Sequence, residues 1–242
     1  MDYGICPTAF QQSTVPPQFH HKLSVIFDGI DTQTACADPG AYVLVNGRQL
    51  NAGDEIITFV NRNLEPMRGY HVFLRALPKM LQARPHAVAI ILGGNDVSYG
   101  APPPEGQTWR QIFWDEVKDQ LDTSRVFFPG RIAYRDYLRV LQVSACHVYL
   151  TVPFVLGWSC IEAMSTGTVV VGSATPPVRE AIEHEKNGLL VDFFDTTGLA
   201  NTVIDVLSHR EKYQKLATAA RATAVERYDL ATVCLPQQMQ LI

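Results

Sequence analysis

Apolar residues along most of the chain form short runs that alternate with longer amphipathic stretches. The runs that predict buried strands are 55–60, 86–92, 125–128, 146–152, 168–172 and 188–191. The stretches with helical spacing are 69–84, 109–121, 134–143 and about 199 to the C-terminus. This alternation predicts an α/β fold with a doubly wound, mostly parallel, Rossmann-like sheet. Ligands of such a sheet bind at the carboxyl ends of its strands.

The beginning of the chain has a weaker periodicity. Residues 1–40 are loop-like apart from one apolar strand at Leu23–Phe27. Tyr42–Val45 followed by Asn46-Gly47 predicts a small hairpin that leads into the first core strand. A stretch rich in Pro and Gly, 95–107, is longer than an ordinary connection, so we expect it to be functional or mobile.

Composition narrows the class of protein. The 242 residues are 47% hydrophobic and 18% charged, as in a soluble globular α/β protein. The net charge of −4 argues against a general binder of nucleic acid or anionic membranes. No apolar run approaches the ~20 residues that span a bilayer, and no signal peptide is visible. The five cysteines lack a C-x-x-C pair, which favours reduced thiols of a cytoplasmic protein over a disulfide or zinc framework.

A glycine turn joins the apolar run His147–Pro153 to a helix that carries Glu162. Gly157 lies at the bend of this turn. A strand, a glycine turn and a helix together present backbone N–H groups and a positive helix end to a phosphate. Glu162 lies about one turn into the helix, where a carboxylate could accept hydrogen bonds from a sugar hydroxyl. The loop is therefore a candidate for holding the phosphate and the ribose of a nucleotide.

Two arginines follow the first core strand. Arg62 and Arg68 lie between the strand that ends near Val60 and the helix that begins near Gly69. Arginines six residues apart across such a turn can converge on a diphosphate with planar, charge-assisted contacts. The alternative is one solvated arginine and one that packs on the start of the helix. On this pair alone, both interpretations remain open.

Several candidate residues also have simpler structural interpretations. His147 lies within an apolar strand, which favours a hydrogen-bonded core histidine over a catalytic base. Trp158 could stack on a sugar or a base, or wedge the helix against the sheet. Glu162 on its own could be a solvated acid that the helix dipole favours. His20-His21 has no third ligand at metal spacing, so it does not indicate a metal site.

From about Leu23 to the C-terminus, the chain resembles the donor-binding half of a GT-B glycosyltransferase of the retaining group often called family 4. The segments that carry the resemblance are Arg62-x5-Arg68-Gly69, Phe128-Pro-Gly130-Arg-Ile132, Phe154-x7-Glu162, Glu162–Ser173, Val178–Glu180 and Asn187–Val191. They are similar, in order, to that family's Arg-x5-Lys-Gly, F-x-G-x-V, Glu-x7-Glu, EAMA-G-PVV-S, P-E and NG-LV patterns. Arginine replaces lysine in the first of them.

The resemblance implies a site and a reaction. Arg62 and Arg68 would be catalytic, by stabilising the charge that develops on the leaving diphosphate. The residues that would bind the nucleotide-sugar donor are Gly69, Gly130, Ile132, Phe154, Gly157, Trp158, Ser159 and Glu162. Glu162 would hold the ribose, and the sugar would pass to an acceptor hydroxyl with retention of anomeric configuration. The sequence has no D-x-D, and GT-B enzymes generally bind the diphosphate without a metal, so we expect no cofactor and no metal.

Two features depart from the family pattern. Phe154 stands where the family has the first glutamate of Glu-x7-Glu; a phenyl ring cannot accept a hydrogen bond, although it could stack on a pyranose face. The family's N-terminal acceptor domain is represented here by a short segment only. We therefore expect residues 1–40 to be a remnant of that domain and a hinge, and 41–225 to be the nucleotide-sugar-binding domain. Residues 226–242 would form a C-terminal helix that packs on the missing domain.

Without that domain the apolar face of the C-terminal helix would be exposed and could bind a partner protein. The apolar residues of this helix are Leu230, Val233, Leu235 and Met239. The sequence thus leaves more than one function open. The chain could be a glycosyltransferase, or a module that binds a nucleotide sugar without catalysis. It could also complete an enzyme whose acceptor half is a separate polypeptide, or self-associate. A nucleotide-sugar epimerase of the same fold is a third and less favoured interpretation.

Overall fold

The computed structural model describes residues 2–241. Its strands, in chain order, are β1 (Gly4–Cys6), β2 (Leu23–Val25), β3 (Tyr42–Val45), β4 (Arg48–Asn51), β5 (Ile56–Asn63), β6 (Val88–Gly94), β7 (Val126–Gly130), β8 (Cys146–Tyr149), β9 (Val169–Ser173) and β10 (Leu189–Val191). Six of them form a parallel sheet in the order β10-β9-β8-β5-β6-β7. The α/β fold with a parallel sheet that the sequence predicts is confirmed.

Helices cover both faces of this sheet. They are α1 (Ala9–Ser13), α2 (Tyr70–Ala83), α3 (Trp109–Val117), α4 (Tyr134–Val143), α5 (Trp158–Ser165), α6 (Pro176–Arg179), α7 (Thr196–Ser208), α8 (Arg210–Tyr228) and α9 (Leu235–Met239). Helices α2, α3 and α7 pack on one face, and α4, α5 and α8 pack mainly on the other. Neighbouring residues Ile56, Ile57 and Thr58 of β5 point to opposite faces, yet all are buried. This is the pattern of a parallel strand covered on both sides.

The order of the strands creates a switch point in the middle of the sheet. The chain moves outwards from β5 through β6 to β7, then returns to the other side of β5 to place β8. The connections after β5 and β8 therefore leave in opposite directions. A crevice opens between them at the carboxyl ends of the two strands, which is where open α/β sheets bind ligands.

Residues 2–35 are attached to the domain by hydrogen bonds from several elements. Strands β1 and β2 form a separate parallel pair. The carboxylate of Glu180 accepts from the backbone N–H groups of Ala9 and Phe10 at 2.8 and 2.7 Å, which caps α1. Arg221 of α8 donates to the carbonyl oxygens of Thr32 and Ala35 at 2.7 and 2.9 Å. This segment thus packs on α6 and α8.

The C-terminal helical stretch is divided, although its sequence predicts helix to the end. Helix α8 ends at Tyr228 because Asp229 adopts an extended conformation. The Asp229 carboxylate then accepts from the backbone N–H of Thr232 at 2.8 Å and from the hydroxyl of Thr32 at 2.5 Å. A short π-helical segment, Leu230–Cys234, leads into α9. The expected segments 1–40 and 226–242 include Met1 and Ile242, which lie outside the described residues.

A polar cluster is enclosed within the sheet. His147 of β8 is fully buried, and its Nδ1 lies 2.9 Å from the hydroxyl of Thr58, which also contacts the hydroxyl of Ser144 at 2.8 Å. Its Nε2 has no hydrogen-bond partner among the described residues. Burial lowers the pKa of His147 to about 3, so the ring is neutral at ordinary pH. His147 is a core histidine and lies away from any cleft.

We expect this histidine to make the stability of the domain dependent on pH. The unfolded chain takes up a proton near pH 6.5, whereas the folded chain does not until about pH 3. The free energy of unfolding should therefore fall as pH drops through this window, by up to about 1.4 kcal/mol per pH unit. Urea titrations at several pH values should show a flatter dependence in His147→Gln than in the wild type. Parallel dependences in the two proteins would contradict this assignment.

Candidate functional site

Two adjoining cavities occupy the switch point. Val60, Asn61, Arg62 and Tyr137 line both of them. The inner cavity, of about 290 Å³, is completed by Arg68, Tyr99, Tyr149, Gly157 and Ser159. The outer cavity, of about 440 Å³, is completed by Leu92, Gly93, Gly130, Arg131 and Ile132. Together they form one elongated cleft that runs along the carboxyl ends of β8, β5, β6 and β7.

The inner cavity contains both arginines that the sequence singles out. Arg62 is exposed and has no hydrogen-bond or ion-pair partner among residues 2–241. Arg68 is half-buried, and its Nη1 donates to the hydroxyl of Thr151 at 3.1 Å and to the carbonyl of Val155 at 3.2 Å. These acceptors follow β8, so they fix the guanidinium of Arg68 across the switch point. No carboxylate in the described part of the chain neutralises either arginine.

Helix α5 begins at the same cavity. Its N-cap is Gly157, which makes no side-chain capping bond, and the hydroxyl of Tyr149 accepts from the Gly157 N–H at 2.6 Å. The first N–H groups of a helix have no acceptor within it and carry part of the positive end of the dipole. Ser159, in the first turn, lines the cavity. Arg62, Arg68 and the start of α5 therefore surround one volume with positive charge and N–H donors, as an anion site requires.

Glu162 lies behind this volume and is bound by two tyrosines. It is 4% exposed; the hydroxyl of Tyr134 donates to its Oε1 at 2.8 Å, and the hydroxyl of Tyr137 donates to its Oε2 at 2.5 Å. Burial raises the pKa of Glu162, although both hydrogen bonds oppose this change. Burial and the nearby carboxylate also raise the pKa of Tyr137 well above its usual value, so its hydroxyl stays protonated. Because Tyr137 lines both cavities, this residue connects the carboxylate to the cleft.

The outer cavity is formed by less polar groups. Gly130 ends β7 with φ of +77°, and a Cβ built there would meet nothing within 4 Å. Ile132 follows with a half-buried side chain, beside Leu92 and Gly93 at the end of β6. Backbone groups and an aliphatic wall suit a flat aromatic ligand such as a nucleotide base.

Three further predicted residues lie outside the cavity linings. Trp158 is 57% exposed, and its indole N–H donates to Asp28 at 2.7 Å, which ties the start of α5 to the N-terminal segment. Phe154 lies beside the inner cavity and packs against Tyr99. Gly69 lies at the start of α2 with φ of +70°, where an added Cβ would come within 2.4 Å of the Leu150 side chain. Its position is set by close packing of the turn after Arg68 onto Leu150, the residue that follows β8.

The sequence did not single out three residues that the fold brings to this region. Tyr99 reaches the inner cavity from the long loop 95–107, and Tyr137 reaches both cavities from α4. Glu65, which lies between the two arginines in the sequence, is fully buried, and its Oε2 accepts from the N–H groups of Ser98 and Tyr99 at 3.1 and 3.0 Å. The unusual length of the loop 95–107 was the one feature of the sequence that indicated a functional role for the segment containing Tyr99.

A larger groove, of about 510 Å³, lies between the β3–β4 hairpin and α4 and shares Ile132 with the outer cavity. Its residues come mostly from the exposed sides of these elements, and its Arg139 is paired with Asp38 at 3.1 Å. Its lining carries carboxylate as well as arginine, because Asp136 lies in the first turn of α4 beside Arg135. The smaller cleft is the better candidate anion site, because no described carboxylate neutralises Arg62 or Arg68 there. The described residues contain no cluster of three or more His, Cys, Asp or Glu side chains arranged to hold a metal ion.

Comparison with known families decides the classification. The sequence profile described as "Glycosyl transferases group 1" matches residues 45–223, and one described as "Glycosyl transferase family 4 group" matches residues 1–35. The chain belongs to the glycosyl transferases group 1 family. The first profile spans the whole six-stranded sheet, including every cavity-lining residue of the cleft. The second spans β1, α1 and β2.

Individual relatives are distant and longer than this chain. The phosphatidyl-myo-inositol mannosyltransferase of Mycolicibacterium smegmatis is 28% identical over 184 residues, which cover 73% of this chain and 42% of the relative. Spore coat protein SA of Bacillus subtilis is 25% identical over 221 residues, or 88% of this chain and 56% of the relative. The chain thus spans about half the length of these curated relatives.

Solved structures share the fold. Anabaena Alr3699/HepE in complex with UDP-glucose has a TM-score of 0.77 at 21% identity, covering 99% of this chain and 63% of the Anabaena chain. Sucrose-phosphate synthase from Thermosynechococcus elongatus has a TM-score of 0.76 at 23% identity, covering 98% of this chain and 56% of the synthase. Within residues 2–241, no helix is both long and apolar enough to cross a membrane.

Gly130, which lines the outer cavity, and Gly69, which lies behind the inner one, offer a matched test of this geometry. Gly69→Ala should destabilise the domain by about 2–5 kcal/mol, because it combines a positive φ with overlap on Leu150. Gly130→Ala has a similar φ but open space around the new methyl group, so about 1–2 kcal/mol is expected. Denaturant unfolding of both variants measures the difference. Equal losses would mean that the turn after Arg68 does not pack on Leu150 as described.

Proposed function

We propose that this chain is the donor-binding part of a glycosyltransferase. It would take a sugar from a nucleotide-diphosphate sugar for transfer to an acceptor hydroxyl, with retention of anomeric configuration. The observation that carries the proposal is the convergence of Arg62, Arg68 and the N-terminus of α5 on one cavity at the switch point. Membership of the group 1 family and the fold shared with a UDP-glucose complex support the same ligand class.

Each part of the donor would have its own place along the cleft. The diphosphate would lie in the inner cavity, where Arg62, Arg68 and the N–H groups of α5 stabilise the charge of the leaving group. The base would lie in the outer cavity against Gly130 and Ile132. The ribose would lie between them, at Tyr137. The tyrosine oxygen would accept from a ribose hydroxyl while its proton remains on the hydrogen bond to Glu162.

Arginine variants test the diphosphate assignment. Arg68→Ala should weaken the binding of UDP or another nucleoside diphosphate by about 1.5–3 kcal/mol, because it removes charged hydrogen bonds at a half-buried position. Arg62 is exposed, so solvent screens its charge and Arg62→Ala should cost less. Calorimetric titration measures both, and Arg48→Ala, an exposed arginine on β4, controls for net charge. If both cleft variants bind nucleoside diphosphates with wild-type affinity, the diphosphate does not bind at Arg62 and Arg68.

Variants of Tyr137 and Glu162 test the ribose assignment. Tyr137→Phe and Glu162→Gln should each lower the affinity for a nucleoside diphosphate more than the affinity for pyrophosphate, because pyrophosphate has no ribose. Acidification should act similarly: Glu162 takes up a proton at a higher pH than an exposed glutamate, and the protonated oxygen then becomes a donor and no longer accepts well from a tyrosine hydroxyl. The wild type should therefore lose affinity towards acidic pH more steeply than Glu162→Gln. Equal losses of affinity for the nucleoside diphosphate and for pyrophosphate would show that Tyr137 and Glu162 do not contact the ribose.

A second candidate is a binding module or subunit that completes a separate acceptor polypeptide. The observation in its favour is apolar exposure at the two chain ends: Tyr3 is 72% exposed, Leu235 45% and Met239 62%. Residues 1–40 and 226–242 would then form the surface that meets an acceptor domain, with 41–225 as the donor domain. Transfer of sugar to added acceptors by this chain alone would exclude the candidate. Donor binding without transfer would favour it.

A further inference from the structure

Two aromatic rings form a wall beside the inner cavity. The rings of Tyr99 and Phe154 meet edge to face with centroids 4.8 Å apart. The guanidinium carbon of Arg68 lies 5.1 Å from the first centroid and 5.8 Å from the second. Phe154 keeps 39% of its surface exposed. The rings therefore contact the cation assigned to the diphosphate and still offer apolar surface next to it, where a sugar attached to that diphosphate would lie.

The position of Tyr99 is fixed by a buried carboxylate. Glu65 is fully buried, and its Oε2 accepts from the backbone N–H groups of Ser98 and Tyr99. Asn63 donates to the hydroxyl of Ser98 at 2.6 Å, which is a second attachment of the same loop. Glu65 Oε1 has no hydrogen-bond partner in the described part of the chain. A buried carboxylate with one unpaired oxygen is costly, so its bonds to the loop are a specific feature of this fold.

This side of the cleft offers few acceptors for sugar hydroxyls. The residues that line the inner cavity include no Asp or Glu among those described. The hydroxyl of Thr151 and the carbonyl of Val155 already accept from Arg68. Phe154 adds a ring that cannot accept a hydrogen bond. An apolar ring favours the C–H face of a pyranose, because C–H groups meet its negative face without losing hydrogen bonds to water.

We propose that Tyr99 and Phe154 are specificity-determining residues that bind the C–H face of the donor sugar. Glu65 acts as a positioning residue that holds Tyr99 in this wall. The inference rests on the proposed function, since it needs a nucleotide sugar in the cleft. The donors that fit are neutral hexoses and their 6-deoxy counterparts, recognised through stacking rather than through a carboxylate.

The test compares the affinity of a nucleotide sugar with that of its nucleoside diphosphate. UDP-glucose against UDP, and GDP-mannose against GDP, are titrated calorimetrically into each protein. Tyr99→Leu and Phe154→Leu should lower the affinity ratio about tenfold, while the affinity for the bare diphosphate changes less than about threefold. The matched controls are Tyr42→Leu, an exposed tyrosine on β3, and Phe194→Leu, an exposed phenylalanine that packs edge-on against Phe193. They should leave the ratio unchanged.

The role of Glu65 is tested by rescue. Glu65→Ala should lower the same ratio, because the loop loses the acceptor that holds Tyr99. Glu65→Gln keeps an oxygen for the two N–H groups and should restore the ratio. A purely structural role would change thermal stability and affinity for both ligands together, without changing the ratio. Because Phe154 is partly exposed, Phe154→Leu tests the wall even where a Glu65 variant does not fold.

A deoxy sugar gives a further readout. A site that hydrogen-bonds a hydroxyl rejects the analogue that lacks it by about 10⁴-fold, whereas an aromatic wall discriminates far less. UDP-6-deoxyglucose should therefore bind within about tenfold of UDP-glucose, and Phe154→Glu should shift the preference towards the hydroxylated sugar. If the wild type binds the diphosphate but both leucine variants keep the wild-type ratio of nucleotide-sugar to diphosphate affinity, this inference is wrong and the proposed function still holds. Absence of diphosphate binding by the wild type would overturn both.

Discussion

The pairing of β5 with β8 is the constraint on which the site depends. Ile57 and Phe59 of β5 lie beside Cys146 and Val148 of β8, although almost 90 residues separate them in the chain. This register brings the turn that carries Arg62 and Arg68 next to the loop that carries Gly157. Gly69 lets the first turn approach Leu150 closely, and Arg68 then bonds to Thr151 and Val155. Sheet pairing, close packing and hydrogen bonding thus fix one cationic cavity.

Hydrogen bonds to two buried glutamates position the aromatic residues beside that cavity. Glu162 is enclosed behind Tyr134 and Tyr137, so the cleft meets a tyrosine whose hydroxyl is bound to a carboxylate. On the opposite side, buried Glu65 holds the loop that brings Tyr99 against Phe154. Neither carboxylate lines the cleft; Glu162 is bonded to Tyr137 and Glu65 to the backbone N–H of Tyr99, and both tyrosines do line it. The cleft is therefore cationic at its centre and aromatic at its sides, a combination that suits a charged diphosphate joined to a base and a sugar.

Sequence patterns predicted the parts of the fold that depend on local order. Helix α4 occupies Tyr134–Val143, the same bounds that periodicity predicts, because its apolar face is unambiguous. The hairpin turn at Asn46-Gly47 follows from the positive φ that these residues tolerate. The helical stretch predicted to the C-terminus was less accurate: periodicity does not reveal that Asp229 bonds to Thr32 and ends α8.

The sequence predicted the positions of the cleft residues that directly follow strands. It did not predict the positions of those that come from a loop or a helix. Arg62, Arg68 and Gly157 could be placed because parallel strands end at one edge of the sheet. Tyr99 and Tyr137 belong to a loop and a helix whose approach depends on tertiary packing, so spacing alone could not assign them. For Trp158 the sequence left open stacking on the donor and wedging the helix against the sheet; the hydrogen bond from its indole to Asp28 could not be predicted from spacing. The direction of a side chain at a helix start is not readable from sequence.

The most direct test of the central claim is a crystal structure of this chain soaked with UDP, GDP or ADP. The account predicts density for one of them along the cleft. Its diphosphate would lie between Arg62, Arg68 and the start of α5, with its base against Gly130 and Ile132. Density in the groove between the β3–β4 hairpin and α4, or a diphosphate that avoids both arginines, would contradict the account.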